Sequence, residues 1–181
     1  STQLSSSAAS DVYKRQSIYK QRSQMPNHCY NRVQLNNNAE NDSKQFDELV
    51  AKFESQTPFA EILPMPDFSK IKNEDGELPV VKEHKNDKGE VLWTHSEFPK
   101  SGKSDERWYG WCVNNWGTKW DAYDFCGADV EKEFGTATFE FNTAWGPADG
   151  IYQYIVDHYP DVDISWFYDE PGCELAGYLP N

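Results

Sequence analysis

The chain has 181 residues, 30 acidic against 17 basic side chains for a formal net charge of −13, and an aromatic share of 15%. That length suits one domain, and no run of about 18 apolar residues is present to span a membrane. The negative balance opposes direct binding of a phosphate backbone, so a protein partner, and a basic one, is expected before a nucleic acid.

The four cysteines, Cys29, Cys112, Cys126 and Cys173, stand apart without a CxxC pair. A zinc ribbon or an iron–sulfur cluster therefore has no support, no cofactor is expected, and the thiols read as small buried hydrophobes of a reducing cytoplasm. Residues 1–24 are polar, lack periodicity and are expected to be disordered. Within them SSAASDVYKRQ, Ser6 to Gln16, reads as the in-frame translation of a transposase adapter from sequencing libraries. At least residues 1–16 are accordingly expected to be an assembly artefact, with the natural start at Met25 and a single domain over 25–181. Residues 1–24 hold four basic and one acidic side chain, so the remainder carries 13 basic and 29 acidic, a net of −16.

From His28 to Asn36 the pattern alternates. Cys29, Val33 and Leu35 share one strand face, with Tyr30, Arg32 and Gln34 on the other. Asp42 and Gln45 form a capping-box-like pair before a helix whose buried stripe is Phe46, Leu49, Val50 and Phe53. Residues 57–106 read as an irregular insertion: FAEILPMPDF runs extended, and a charged hairpin follows with its turn at Asp87-Lys88-Gly89. Arg107 to Asn115 has helical spacing, with Trp108, Trp111 and Cys112 on one side and Gly117 as the C′ residue. Lys119 to Tyr123 alternates as a short strand, and Thr136 to Thr143 as a longer one with Phe139 and Phe141 inward. Pro147 opens a helix with the stripe Ile151, Tyr154, Ile155 and Tyr159. A strand bearing Val162, Ile164, Trp166 and Tyr168 follows, then a final strand over Glu174 to Leu179. The order predicts an α+β, ferredoxin-like split βαβ sandwich, an antiparallel sheet with helices on one face and a long insertion after the first helix. "Ferredoxin-like" names a topology and implies no iron–sulfur cluster.

MPNHCYNRVQL, ILPMP, WYGWCVNNWGTKWDAYD, FNTAWGPADGI and YDEPGCELAG together resemble the YubB ferredoxin-like domain family. The spaced pattern W-x-x-W-x-x-x-x-W-G-T-K-W-x-A is specific, and the resemblance runs from Met25 to the C-terminus. It implies the ferredoxin-like fold and a phage or plasmid origin, hence a bacterial host cytoplasm. The family brings no assigned activity and so no catalytic residue. Its signature positions here are Asn27, Cys29, Trp108, Trp111, Trp116, Gly117, Trp120 and Trp145, expected to be structural. His28 stands where the family commonly has tryptophan, and the family often continues beyond the last segment here.

The tryptophans admit two readings, a stacking platform or core. Helical spacing and the scarcity of basic neighbours favour core. The expected core is Phe46, Leu49, Val50, Phe53, Trp108, Trp111, Trp116, Trp120, Phe139, Phe141, Ile151, Ile155, Ile164 and Trp166. Asp161, Asp163, Asp169, Glu170 and Glu174 form the candidate interaction surface, read as a solvated acidic face. His84 and His95 face each other across the hairpin, a pair short of a metal site. GxSxG, P-loop, GxGxxG and HExxH are all missing, so catalytic residues are not assigned. The expected function is a non-catalytic protein-interaction domain. An acidic DNA-mimic or anti-defence decoy is the alternative, and a carboxylate-based, metal-dependent hydrolase the third reading.

Overall fold

The computed structural model describes residues 27–39 and 44–180. The leader 1–24, the expected start at Met25 and the capping position Asp42 lie outside the described residues. In chain order the elements are β1 (His28–Asn37), α1 (Lys44–Phe53), α2 (Pro58–Ile62), β2 (Val80–Lys85), β3 (Val91–Glu97), α3 (Arg107–Trp116), β4 (Tyr123–Glu131), β5 (Thr136–Ala144), α4 (Asp149–His158), β6 (Val162–Glu170) and β7 (Leu175–Leu179). They fall into two compact units, one formed by Met65–Gly110 and the other by residues 27–64 with 111–180.

The larger unit holds an antiparallel sheet in the order β4-β5-β1-β6-β7. Taken with the helices, β1-α1-β4-β5-α4-β6 is the ferredoxin-like split βαβ arrangement, with β7 added at one edge. Its core follows from periodicity. Phe46, Leu49, Val50 and Phe53 lie on one stripe of α1, and all four are buried. Cys29, Val33 and Leu35 alternate inward on β1, as Phe139 and Phe141 do on β5. Phe53 meets Phe139, Phe141 and Trp166 with ring centroids 5.2, 6.2 and 6.4 Å apart. Tyr152 of α4 reaches the same Trp166 at 6.5 Å, so both long helices cover one face.

Buried polarity is satisfied where the sheet needs it. Asn31 points inward between Cys29 and Val33; its Nδ2 donates to Cys29 O and Thr143 Oγ1 at 2.9 and 2.8 Å, and its Oδ1 accepts from Trp166 Nε1 at 2.9 Å. Thr118 Oγ1 donates to Ala144 O at 3.0 Å and ties the segment after α3 to the end of β5. Gly117 turns that segment with φ +83°, and a Cβ there would collide with Asp149 Oδ1, so the position needs glycine twice over.

Three expectations are corrected. The Phe59–Leu63 stretch is not extended: Pro58–Ile62 is a short helix, with Phe59 and Ile62 buried, and it belongs to the larger unit. Its start is stabilised from elsewhere, because Asp121 Oδ1 and Oδ2 accept from the N–H groups of Phe59 and Ala60, both at 2.9 Å. Lys119 to Tyr123 is mostly not a strand; β4 begins at Tyr123 and runs to Glu131. Trp120 and Ala122 are nonetheless buried, since Thr118 and Asp121 anchor the irregular stretch between them. β4 escaped notice because it is an edge strand with a register shift between Tyr123 and Gly127, paired through backbone rather than through an alternating apolar face. Finally, Trp108, Trp111 and Ile164 are half-buried rather than core.

In the smaller unit β2 and β3 pair as the expected hairpin, closed through Asn86–Glu90 with Gly89 at φ +80°. Arg107 is its hub. The guanidinium donates to Asp105 and to the carbonyls of Phe68 and Ile71, and lies 5.0 and 5.2 Å from the Phe68 and Phe98 ring centroids.

Candidate functional site

Antiparallel pairing places the start of β1 beside the ends of β5 and β6, so that His28 faces Ala144 and Tyr30 faces Asp169. Three signature positions, Asn27, Trp120 and Trp145, are linked at that end. Asn27 O accepts from Trp145 N at 3.0 Å, and Asn27 Nδ2 lies 3.9 Å from Cys173 Sγ. Lys119 Nζ sits 4.0 Å from the Trp120 ring and 6.0 Å from that of Trp145, where desolvation lowers its pKa. Trp145 is 47% exposed, with φ +74°, a left-handed conformation that a bulky residue rarely takes. Trp116 and Trp120, by contrast, are buried at 2% and 6%. Trp120 Nε1 has no hydrogen-bond partner among the described residues.

Ionisation of the two buried thiols is suppressed. No disulfide links the four cysteines; Cys29 and Cys112 are buried, while Cys126 and Cys173 are exposed, contrary to the expectation for all four. Burial pushes the Cys29 thiol up to about 11 and Cys112 up to about 12, leaving no thiolate at neutral pH. Tyr123 is raised as well, first by burial, and its hydroxyl contacts His28 Nδ1 at 2.9 Å. His28 and Cys29 lie on opposite strand faces, one exposed and one buried.

The five carboxylates of the candidate surface are not one patch. Glu170 is buried at 1%; its Oε2 accepts from Cys173 N at 2.5 Å, and its Oε1 has no partner among the described residues. It closes the turn into β7 and is withdrawn from the surface. Asp163 and Asp169 share the helix-free face of β6, six residues and about 20 Å apart. Asp161 and Glu174 are exposed at opposite ends of the strand.

What occupies that helix-free face is a cross-strand row of Glu140, Arg32, Phe167 and Tyr178. Arg32 pairs with Glu140 on one side and Phe167 on the other, and Phe167 pairs with Tyr178. The Phe167 and Tyr178 rings meet edge-on at 5.3 Å, with Tyr178 62% exposed. Tyr30 lies between Asn142 and Asp169, its phenol raised first by burial and next by a hydrogen bond to Glu140. Arg32 is the one base on β1, and its Nε is 3.9 Å from Glu140 Oε1. Tyr30 and Asp169 thus lie on the rung next to Arg32 and Phe167, while Asp163 stands farther along β6, opposite Asn36. Sequence alternation put Tyr30 outward, but the row exists only through cross-strand register.

Among the described residues no three His, Cys, Asp or Glu side chains converge as a metal cage, and no helix is long and apolar enough to cross a membrane. The fold and its surface define an α+β domain of ferredoxin-like type. Residues 115–180, from the end of α3 through β7, match the family model described as a ferredoxin-like domain in Api92-like protein. No curated protein and no solved structure matches the chain.

Proposed function

We propose that the chain is a non-catalytic protein-interaction domain of a phage or plasmid, and that it holds a basic partner on the helix-free face of its five-stranded sheet. The observation that carries this reading is the Phe167–Tyr178 pair on one rung with Arg32 and Glu140, with Tyr30 and Asp169 on the next rung. Aromatic anchors at the centre with charge at the rim is the common anatomy of a protein interface. Glu140 stands against Arg32, and the remaining carboxylates of this face, Asp163 and Asp169, favour Lys- and Arg-bearing surfaces and repel phosphate.

The test is affinity capture with the full chain from bacterial host extract at low and moderate salt, repeated with Phe167→Ala/Tyr178→Ala and with Asp163→Lys/Asp169→Lys. A specific partner should be lost with either double variant, and the aromatic pair should matter at both salt concentrations. Retention of the same partner by both variants overturns the reading. A partner displaced by duplex DNA, with binding lost steeply as salt rises, would instead identify the acidic face as a decoy for phosphates.

A further inference from the structure

On the smaller unit, the face of the β2–β3 hairpin that carries Lys82, His84, Trp93, His95 and Glu97 holds two imidazoles in an unusual relation. His84 Nε2 and His95 Nδ1 are 3.1 Å apart, and the other nitrogen of His95, Nε2, lies 3.2 Å from Glu97 Oε2. The His84 ring stacks on Trp93 with centroids 3.5 Å apart and planes within 6°, which fixes its orientation. Lys82 Nζ is 3.3 Å from Glu97 Oε1 and holds that carboxylate in place.

We propose that this face binds a divalent transition cation of the zinc, nickel or copper class, through His84 Nε2 and His95 Nδ1. Two nitrogens each about 2.0–2.1 Å from a tetrahedral Zn²⁺ stand about 3.3 Å apart, close to the spacing found here. With its Nε2–H donated to Glu97, His95 presents Nδ1 as a lone pair, which is how a carboxylate behind a histidine sets the tautomer and raises ligand basicity; His84 Nε2 then carries the proton of the 3.1 Å hydrogen bond, and the cation takes the place of that proton between the two nitrogens. The carboxylate is thus an orienting group and not a ligand. Imidazole suits these three metals and does not suit magnesium or calcium. Two protein nitrogens leave coordination positions open, so the site belongs with those that accept a further donor from water or a partner.

The sequence supplied the pair but not its orienting group. Trp93 supplies the reporter, because a paramagnetic ion at His84 quenches an indole stacked on that ring. The experiment uses the full, untagged chain bearing Cys126→Ser and Cys173→Ser, so that exposed thiols do not compete. It reads Zn²⁺ binding by calorimetry and Cu²⁺ or Ni²⁺ binding by tryptophan fluorescence, with Trp93→Phe as the control for the reporter. His84→Ala and His95→Ala should each lower affinity at least tenfold, and Glu97→Gln by about 10–100-fold, the usual loss when the group behind a metal-bound histidine is removed. Far-ultraviolet circular dichroism and amide exchange of the hairpin confirm that the variants fold. Affinity unchanged in Glu97→Gln means an adventitious ion only, and it overturns the proposal. So does the same Zn²⁺ affinity in a folded His84→Ala.

Discussion

The two compact units solve the same problem with opposite means. In the larger, α1, α2, α4 and the inner strand faces surround Trp166, Phe53, Phe59 and Phe141, all buried to 1% or less. In the smaller, Phe98 is the one buried hydrophobic residue described, while Val80, Val81, Val91 and Leu92 on the hairpin are 39–57% exposed. A two-stranded hairpin buries too little apolar surface to be stable in water by that means alone. The unit is held instead by Arg107 spanning Asp105, two carbonyls and two aromatic rings, with Asp105 N–H donating to Ser96 O of β3 and a His84–Trp93 stack on one hairpin face. Burial makes a frame that tolerates little change in volume; a polar hub makes one that depends on the geometry of a single side chain.

That contrast breaks most visibly at the aromatic centre. Phe53→Ala removes a ring in contact with Phe139, Phe141 and Trp166 and should cost about 3–5 kcal/mol of unfolding free energy in denaturant titration. Survival of the full stability would show that the core is not organised around this residue. Arg107→Lys keeps the charge but loses the planar fork, so a loss of about 1–2 kcal/mol is expected. It should be confined to Met65–Gly110 and be visible as faster amide exchange in β2 and β3 with β1 and β5 unchanged. Equal acceleration in the central strands would erase the distinction between the units.

A third effect is read as a slope against pH, at a buried carboxyl. Asp121 is 2% exposed, and burial pushes its carboxyl from 3.8 up to about 7, although three backbone N–H groups pull the other way. The native state therefore holds this proton between about pH 4 and 7, where the unfolded chain releases it. The group's contribution is greatest below about pH 4 and declines as pH rises to about 7, after which it is flat. Asp121→Asn should remove that slope from the difference between wild-type and variant stability measured across pH 4.5–8. A difference that does not vary with pH would mean that the N–H donors outweigh burial.

The α1 stripe, the inward alternation of β1, β5 and β6, the hairpin turn and the glycine after α3 were all legible along the chain. Each rests on neighbours in sequence or on a period of 2 or 3.6 residues. So was the split βαβ order, which follows from the sequence of elements. Residue type and motif do not set Trp145 apart from the other signature tryptophans; its exposure, its positive φ and its contact with Asn27, more than a hundred residues away, are features of the folded chain.

By itself, then, the amino-acid sequence determined which residues are apolar at helical or strand spacing, and hence the fold class and the faces that meet. Only the tertiary structure decided that Asp121 caps α2 from 62 residues away, that Glu170 turns inward while Asp169 stays out, and that Glu97 stands behind His95. Local periodicity records how much of a segment is hidden from water. It carries no record of which distant donor or acceptor will meet a given polar atom, and that pairing is settled when the strands come into register.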